Sequence, residues 1–145
     1  MQTIELHYTV PGDDFTRAGE ASADLKTRLK KLGLPSEAVR RAAIALYEGE
    51  INMAIHANGG RIDVNVHPNG IDMTLVDTGP GIEDISLAMS EGYSTAPDEV
   101  RSLGFGAGMG LPNMKKYTDV FEIESDVGIG TTIFMRVTTP GEGAL

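Results

Sequence analysis

Cysteine is missing from all 145 residues. Without a thiol there is no disulfide, no thiol nucleophile and no Cys-ligated zinc, so redox chemistry and zinc-finger structure are both closed to this chain. Its stability has to come from packing. Basic residues are scarce, 12 against 21 acidic ones, which gives a formal net charge of −9, and none of the 12 sits in a long run. Nucleic-acid backbones reward clustered Lys and Arg, so nucleic acid is not an expected partner. No stretch approaches the ~18 apolar residues that cross a bilayer. Residues 1–5 lack the basic region and apolar run of a secretion signal, and the cytoplasm is the expected compartment. Repeats and low-complexity tracts are absent as well.

What is present is the composition of a globular domain, 41% apolar and 23% charged. A chain of this length buries roughly 68–70% of the surface it exposes when unfolded, enough for one core. We expect a single domain over residues 1–139 and a frayed tail at 140–145.

The apolar positions Ile4, Leu6, Tyr8 and Val10 alternate like a half-buried strand over 3–10, closed by Pro11-Gly12. Asp13 or Asp14 is placed to cap a helix over 15–32, where Ala18, Ala21, Leu25, Leu29 and Leu32 recur at helical spacing before Gly33. A second helix starts at Ser36, with Glu37 in its first turn where the dipole favours an acid, and runs to about Ala57. Two alternating segments, 61–67 and 71–76, form a hairpin around Pro68-Asn69-Gly70. A short helix is expected over 84–91, a long loop over 92–110, a helix over 111–117, and strands over 120–125 and 131–138 around Val127-Gly128-Ile129-Gly130. Strands and helices fall in blocks, which predicts an α+β fold: an antiparallel or mixed, mostly antiparallel sheet with helices on one face.

Three segments could carry chemistry. On the second helix Glu48, Asn52 and His56 recur every four residues and share one face, beside an apolar stripe of Ile44, Ile51 and Ile55. The same spacing also describes a solvated helix face. The segment Val76-Asp77-Thr78-Gly79-Pro80-Gly81-Ile82 sets a carboxylate at a strand end with glycines two and four residues later. Such an acid can accept a hydrogen bond from the exocyclic amine of adenine, where guanine presents a carbonyl; ordinary turns share the pattern. Gly104-Phe105-Gly106-Ala107-Gly108-Met109-Gly110 runs straight into a helix, and its main-chain N–H groups can turn toward one anion while the helix start adds more donors. It is neither a P-loop, which ends in Gly-Lys-Ser/Thr, nor a dinucleotide fingerprint.

The order of these elements resembles the GHKL ATP-binding domains, the Bergerat two-layer α/β sandwich, over nearly the whole chain. With Glu91-Gly92-Tyr93-Ser94-Thr95, Gly108-Met109-Gly110-Leu111-Pro112 and Ile123-Glu124-Ser125-Asp126-Val127-Gly128, it resembles most the small bacterial anti-sigma and switch serine kinases of the RsbW and RsbT type, above all the switch branch. The resemblance implies ATP and Mg2+ as cofactors. It implies Glu48 as general base, Asn52 as magnesium ligand, and Asp77 with Thr131 as readers of adenine. Gly79, Gly81 and Ile82 would border the ring, and Gly106, Gly108, Met109, Gly110 and Leu111 would surround the phosphates. Arg101 lies in the expected lid and could reach the γ-phosphate; residues 96–102 look like an insertion there. Gly49, inside the helix, costs about 1 kcal/mol relative to alanine and allows either close packing or a degenerate site. The implied activity is serine phosphorylation of a STAS-domain antagonist in a partner-switching pathway, with a sigma factor or phosphatase-type effector as further partner and a homodimer as suggested assembly. Two alternatives keep the same pocket: a catalytically silent, nucleotide-gated binding module, and a detached histidine-kinase ATPase domain.

Overall fold

The computed structural model describes residues 3–12, 18–56, 59–82, 85, 89 and 110–139; of His56 it gives the backbone alone. The strands are β1 (Ile4–Pro11), β2 (Gly59–His67), β3 (Gly70–Asp77), β4 (Val120–Asp126) and β5 (Gly130–Thr138). The helices are α1 (Glu20–Lys31), α2 (Ser36–His56) and α3 (Gly110–Lys116). They build one sheet in the order β1-β2-β3-β5-β4. All four pairings are antiparallel. The strands β3 and β4 run the same way, but β5 lies between them, so the described sheet holds no parallel pair.

The alternation read from the sequence sorts the strands into two faces. Ile62, Val64 and Val66 of β2, Ile71, Met73 and Leu75 of β3, and Ile133, Met135 and Val137 of β5 are buried in register beneath the helices. Leu25 and Leu29 of α1, Ala42, Ala45 and Leu46 of α2, and Met114 of α3 complete the core. Each Leu- or Met-sized side chain buried this way contributes roughly 1.5–3 kcal/mol. The small residues of α2 let that long helix cross the middle of the sheet, with α1 and α3 against its two sides. No helix among the described residues is long and apolar enough to cross a membrane.

The first helix starts later than its periodicity predicts. Its N-cap is Gly19, at φ 104° and without a side-chain cap of its own, and regular structure begins at Glu20. Asp13 and Asp14, the expected caps, lie outside the described residues. The cap comes instead from the second helix. Glu50, 2% exposed, accepts N–H bonds from Gly19 at 2.9 Å, Ala21 at 3.1 Å and Ser22 at 2.6 Å. A helix start leaves such donors without intrahelical partners, and one carboxylate collects three of them.

The hairpin β2–β3 turns at Pro68-Asn69, where Gly70 has no room for a side chain: a Cβ would stand 2.7 Å from the Val137 carbonyl. The helix expected over 84–91 is described only at Ile85 and Met89, joined by a bond from Met89 N–H to the Ile85 carbonyl at 2.9 Å. The loop expected over 92–110 lies outside the described residues up to Gly110, which opens α3, and so does the tail at 140–145.

Replacing Glu50 should therefore act as the loss of a cap and of a buried acceptor together. Glu50→Ala is expected to destabilise the fold by on the order of 3 kcal/mol, with three N–H groups left without their acceptor, and Glu50→Gln by less. Urea unfolding of the three proteins measures this. An unchanged midpoint for Glu50→Ala would show that the carboxylate is dispensable.

Candidate functional site

The depth at which α2 sits sets the site. A Cβ on Gly49 would collide with a methyl of Leu75 on β3 and would stand 3.6 Å from the Met114 sulfur on α3. The glycine that looked costly within a helix thus permits close packing, and it draws α2 onto the sheet and onto α3 together. Its neighbour Glu48 is thereby turned toward the start of α3. The Glu48 carboxylate accepts a hydrogen bond from the Asn113 side-chain amide at 3.3 Å. Its other oxygen lies 3.8 Å from where a Cβ on Gly110 would be. Glu48 is half-buried, and burial pushes its carboxyl above the ordinary glutamate range, the Asn113 bond offsetting only part of the rise.

Asn52 lies one turn further along α2, half-exposed, and its side-chain amide has no hydrogen-bond partner among the described residues. The side chain of His56, the third member of that row, lies outside them. The same end of α2 crosses the strand end that carries Asp77. Gly60 makes this possible, because the place of its missing Cβ is filled by the Met53 methyl and bordered by the Asp77 Cα at 3.2 Å.

Asp77 is oriented by the main chain. Its Oδ1 accepts N–H bonds from Gly79 at 3.0 Å and Thr131 at 3.2 Å. Its Oδ2 has no hydrogen bond among the described residues. Thr131 is buried, and its hydroxyl lies 2.8 Å from that of Ser125. Ser125 donates to the Gly130 carbonyl at 3.1 Å and accepts from Ile82 N–H at 2.7 Å, so the Thr131 hydroxyl is the donor between the two. The Gly128 N–H donates to the Pro80 carbonyl at 2.8 Å. Gly81, at φ 79°, would carry a Cβ 2.5 Å from the Asp126 carbonyl. The segment 77–82 is thus laced to the β4–β5 hairpin, and Gly81 is required first by the protein's own backbone.

Of the residues proposed from sequence, Glu48, Gly110 and Leu111 come together where α2 meets α3, and Asp77, Gly79, Gly81, Ile82 and Thr131 where β3 meets the hairpin. Leu111 is 7% exposed and packs with the core. Arg101, Gly106, Gly108 and Met109 lie outside the described residues. Three residues of these networks went unread in the sequence. Asn113 has a weak signal, a polar side chain in the first turn behind the glycines. Ser125 stands in the string 123–128 quoted for the resemblance but was given no role there, and Glu50 has no signal, since its partners lie about 30 residues away.

Residues 36–141 match the family described as histidine kinase-, DNA gyrase B-, and HSP90-like ATPase. The chain belongs to this family, and ATP is the ligand that membership implies. It is 35% identical over 116 residues to an anti-sigma F factor of Thermoanaerobacter sp. (strain X514), covering 80% of this chain and 69% of that protein. It is 32% identical over 108 residues to the serine/threonine-protein kinase RsbT of Bacillus subtilis (strain 168), covering 72% and 75%. In fold it is similar to a solved structure of the RsbU and RsbW domains of a Mycobacterium tuberculosis protein. There the TM-score is 0.59 at 17% identity, over 95% of this chain and 33% of that one.

The raised Glu48 carboxyl has a consequence for stability. Between the ordinary value of 4.5 and the native one, the folded chain holds this proton more firmly than the unfolded chain. Stability therefore falls as pH rises through that window, and the loss is complete above the native value. Glu48→Gln removes the ionisation. It should melt above the unmodified chain at neutral pH, with the gain shrinking toward zero below 4.5. Melting curves across pH decide this, and a gain that does not depend on pH would contradict it.

Proposed function

We propose that this domain is an ATP-dependent protein serine kinase that phosphorylates a STAS-domain antagonist in a bacterial partner-switching pathway, as a switch kinase or an anti-sigma factor. The observation that carries the reading is the Glu48 carboxylate, half-buried at the start of α3 with its proton affinity raised by burial. A base so placed suits the removal of a hydroxyl proton near neutral pH. The similarity to anti-sigma F factors and to the kinase RsbT supports the same class of reaction.

The residues divide the work by chemistry. Asp77 has one oxygen occupied by two main-chain N–H groups, so the other is aimed and free to accept the exocyclic amine of adenine. The carbonyl of guanine would leave that acceptor unpaired, a penalty of roughly 1–3 kcal/mol. Thr131, beside Asp77, completes the reading of the ring, and Gly79, Gly81 and Ile82 border it. Asn52 offers an amide oxygen without a partner among the described residues, a hard donor suited to magnesium, and it would hold that ion one turn from Glu48. Magnesium, when bound, supplies charge neutralisation on the phosphates. Glu48 takes the proton of the serine hydroxyl, and Asn113 keeps the carboxylate in place. Gly106, Gly108, Met109 and Gly110, with Leu111, surround the phosphates by main-chain donors, which suits a polyanion on a chain of net charge −9. Arg101 reaches the γ-phosphate from the lid. The unit of function is the single domain 1–139 with the tail 140–145, in the cytoplasm. Its further partner is a sigma factor or a phosphatase-type effector.

Labelled ATP incubated with the chain and its antagonist should transfer phosphate to serine. Glu48→Gln should lower the rate about 10²–10⁴-fold while ATP binding, measured by calorimetry, is retained. With the unmodified chain the acidic limb of the rate profile should lie above the ordinary glutamate range. Tight ATP binding without any transfer would overturn the kinase reading and leave a nucleotide-gated binding module.

The adenine contact is tested separately. Asp77→Asn should weaken ATP roughly 5- to 150-fold. An affinity equal to that of the unmodified chain would remove Asp77 from the pocket.

A further inference from the structure

The two oxygens of the Glu48 carboxylate have different surroundings. Oε1 accepts the Asn113 side-chain amide at 3.3 Å, while Oε2 is turned to the main chain at Gly110, 3.8 Å from where a Cβ on that glycine would stand. The last torsion of a glutamate is broad and two-fold, so a carboxylate without a donor exchanges its oxygens at little cost. The Asn113 amide removes that freedom. An ionised carboxylate can only accept, so the amide has to present its NH2 to Glu48 and not its carbonyl.

The bond also joins α2 to α3, but those helices do not need it. Leu111 and Met114 of α3 are buried in the core, and Met114 lies against Gly49. Thr118 Oγ1 closes the far end of α3 on the Met114 carbonyl at 2.8 Å. Asn113 is only half-buried and is not part of the core. Other titratable groups stand near Glu48 without bonding to it. Lys26 of α1 and Tyr47 of α2 line the same groove as Glu48, and Lys115 and Lys116 of α3 lie in its last turn. Among the described residues Asn113 is the one hydrogen-bond donor to the carboxylate.

We propose that Asn113 is the positioning residue for the base: its amide fixes Oε1 of Glu48 and so assigns proton transfer to Oε2, the oxygen directed at Gly110. This role exists only if Glu48 is the base of the kinase reading. Oε2 then takes the proton of the serine hydroxyl as the hydroxyl oxygen bonds to the γ-phosphorus. The bond from that phosphorus to the β–γ bridging oxygen breaks, and its electron pair leaves with ADP. Asn113 touches none of the reacting atoms. Its donated N–H also favours the ionised form of Glu48 and counters part of the upward push of burial.

Two variants separate positioning from bracing. Asn113→Ala removes the donor, and Asn113→Asp puts a second carboxylate in its place, where two like charges do not readily form together. Titration of the Glu48 carboxyl, followed by carbon NMR without nucleotide and identified by its loss in Glu48→Gln, should move to higher pH in Asn113→Ala and higher still in Asn113→Asp. In phosphotransfer from labelled ATP to the STAS-domain antagonist, both variants should lower kcat about ten- to a hundredfold with KM for ATP unchanged. The acidic limb of the rate profile should shift in the same order. Circular dichroism checks the fold, and Asn113→Asp, equal in size to asparagine, carries the test if Asn113→Ala does not fold. A titration and a limb that stay in place in a folded variant would overturn the positioning role, as would an unchanged kcat, and either result leaves the kinase reading standing. Absence of transfer by the unmodified chain would remove both together.

Discussion

A methyl group of Leu75 occupies the space that a side chain at residue 49 would need, and the rest of the molecule is arranged around that contact. It fixes the height of α2 above the sheet. Three successive residues of α2 then act in three directions: Glu48 toward α3, Gly49 into the core, Glu50 toward the start of α1. One turn later Met53 rests over Gly60, beside the Asp77 end of β3. A larger residue at 49 would need α2, Leu75 or Met114 to move, and interiors packed to crystal-like density transmit such shifts.

The two carboxylates of neighbouring helical positions show how environment assigns roles. Glu50 is fully buried and receives three main-chain N–H groups, so its hydrogen-bonding capacity is consumed by the fold. Glu48 is only half-buried and receives one long bond from a side chain, so burial dominates and its proton affinity rises. The first arrangement ties two helices together, and the second suits a group that takes and releases a proton.

The strand-end acid follows a third pattern. Two N–H donors hold one oxygen of Asp77, and the hydroxyls of Ser125 and Thr131, with the Gly128–Pro80 bond, tie its loop to the β4–β5 hairpin. The free oxygen therefore points in a direction set by main chain from two elements. In the adenine-binding role proposed for Asp77, a carboxylate prepared in this way would spend little ordering energy when the ring arrives.

Local pattern determined a great deal by itself. Alternation of period two set every strand to within about two residues, because a strand with one buried face must sort its side chains that way. Helical spacing put Glu48 and Asn52 on one face of α2, and the glycines after Asp77 marked a strand end rather than a strand interior. What tertiary structure alone decided was which groups meet across long stretches of chain. The start of α1 at Glu20 depends on Glu50, some 30 residues away. The necessity of Gly49 depends on Leu75, and the aim of Asp77 depends on Thr131, 54 residues on. Periodicity records only which way a side chain points relative to its own backbone, whereas a cap, a close approach or an aimed carboxylate is a property of two segments that only folding brings within hydrogen-bond reach.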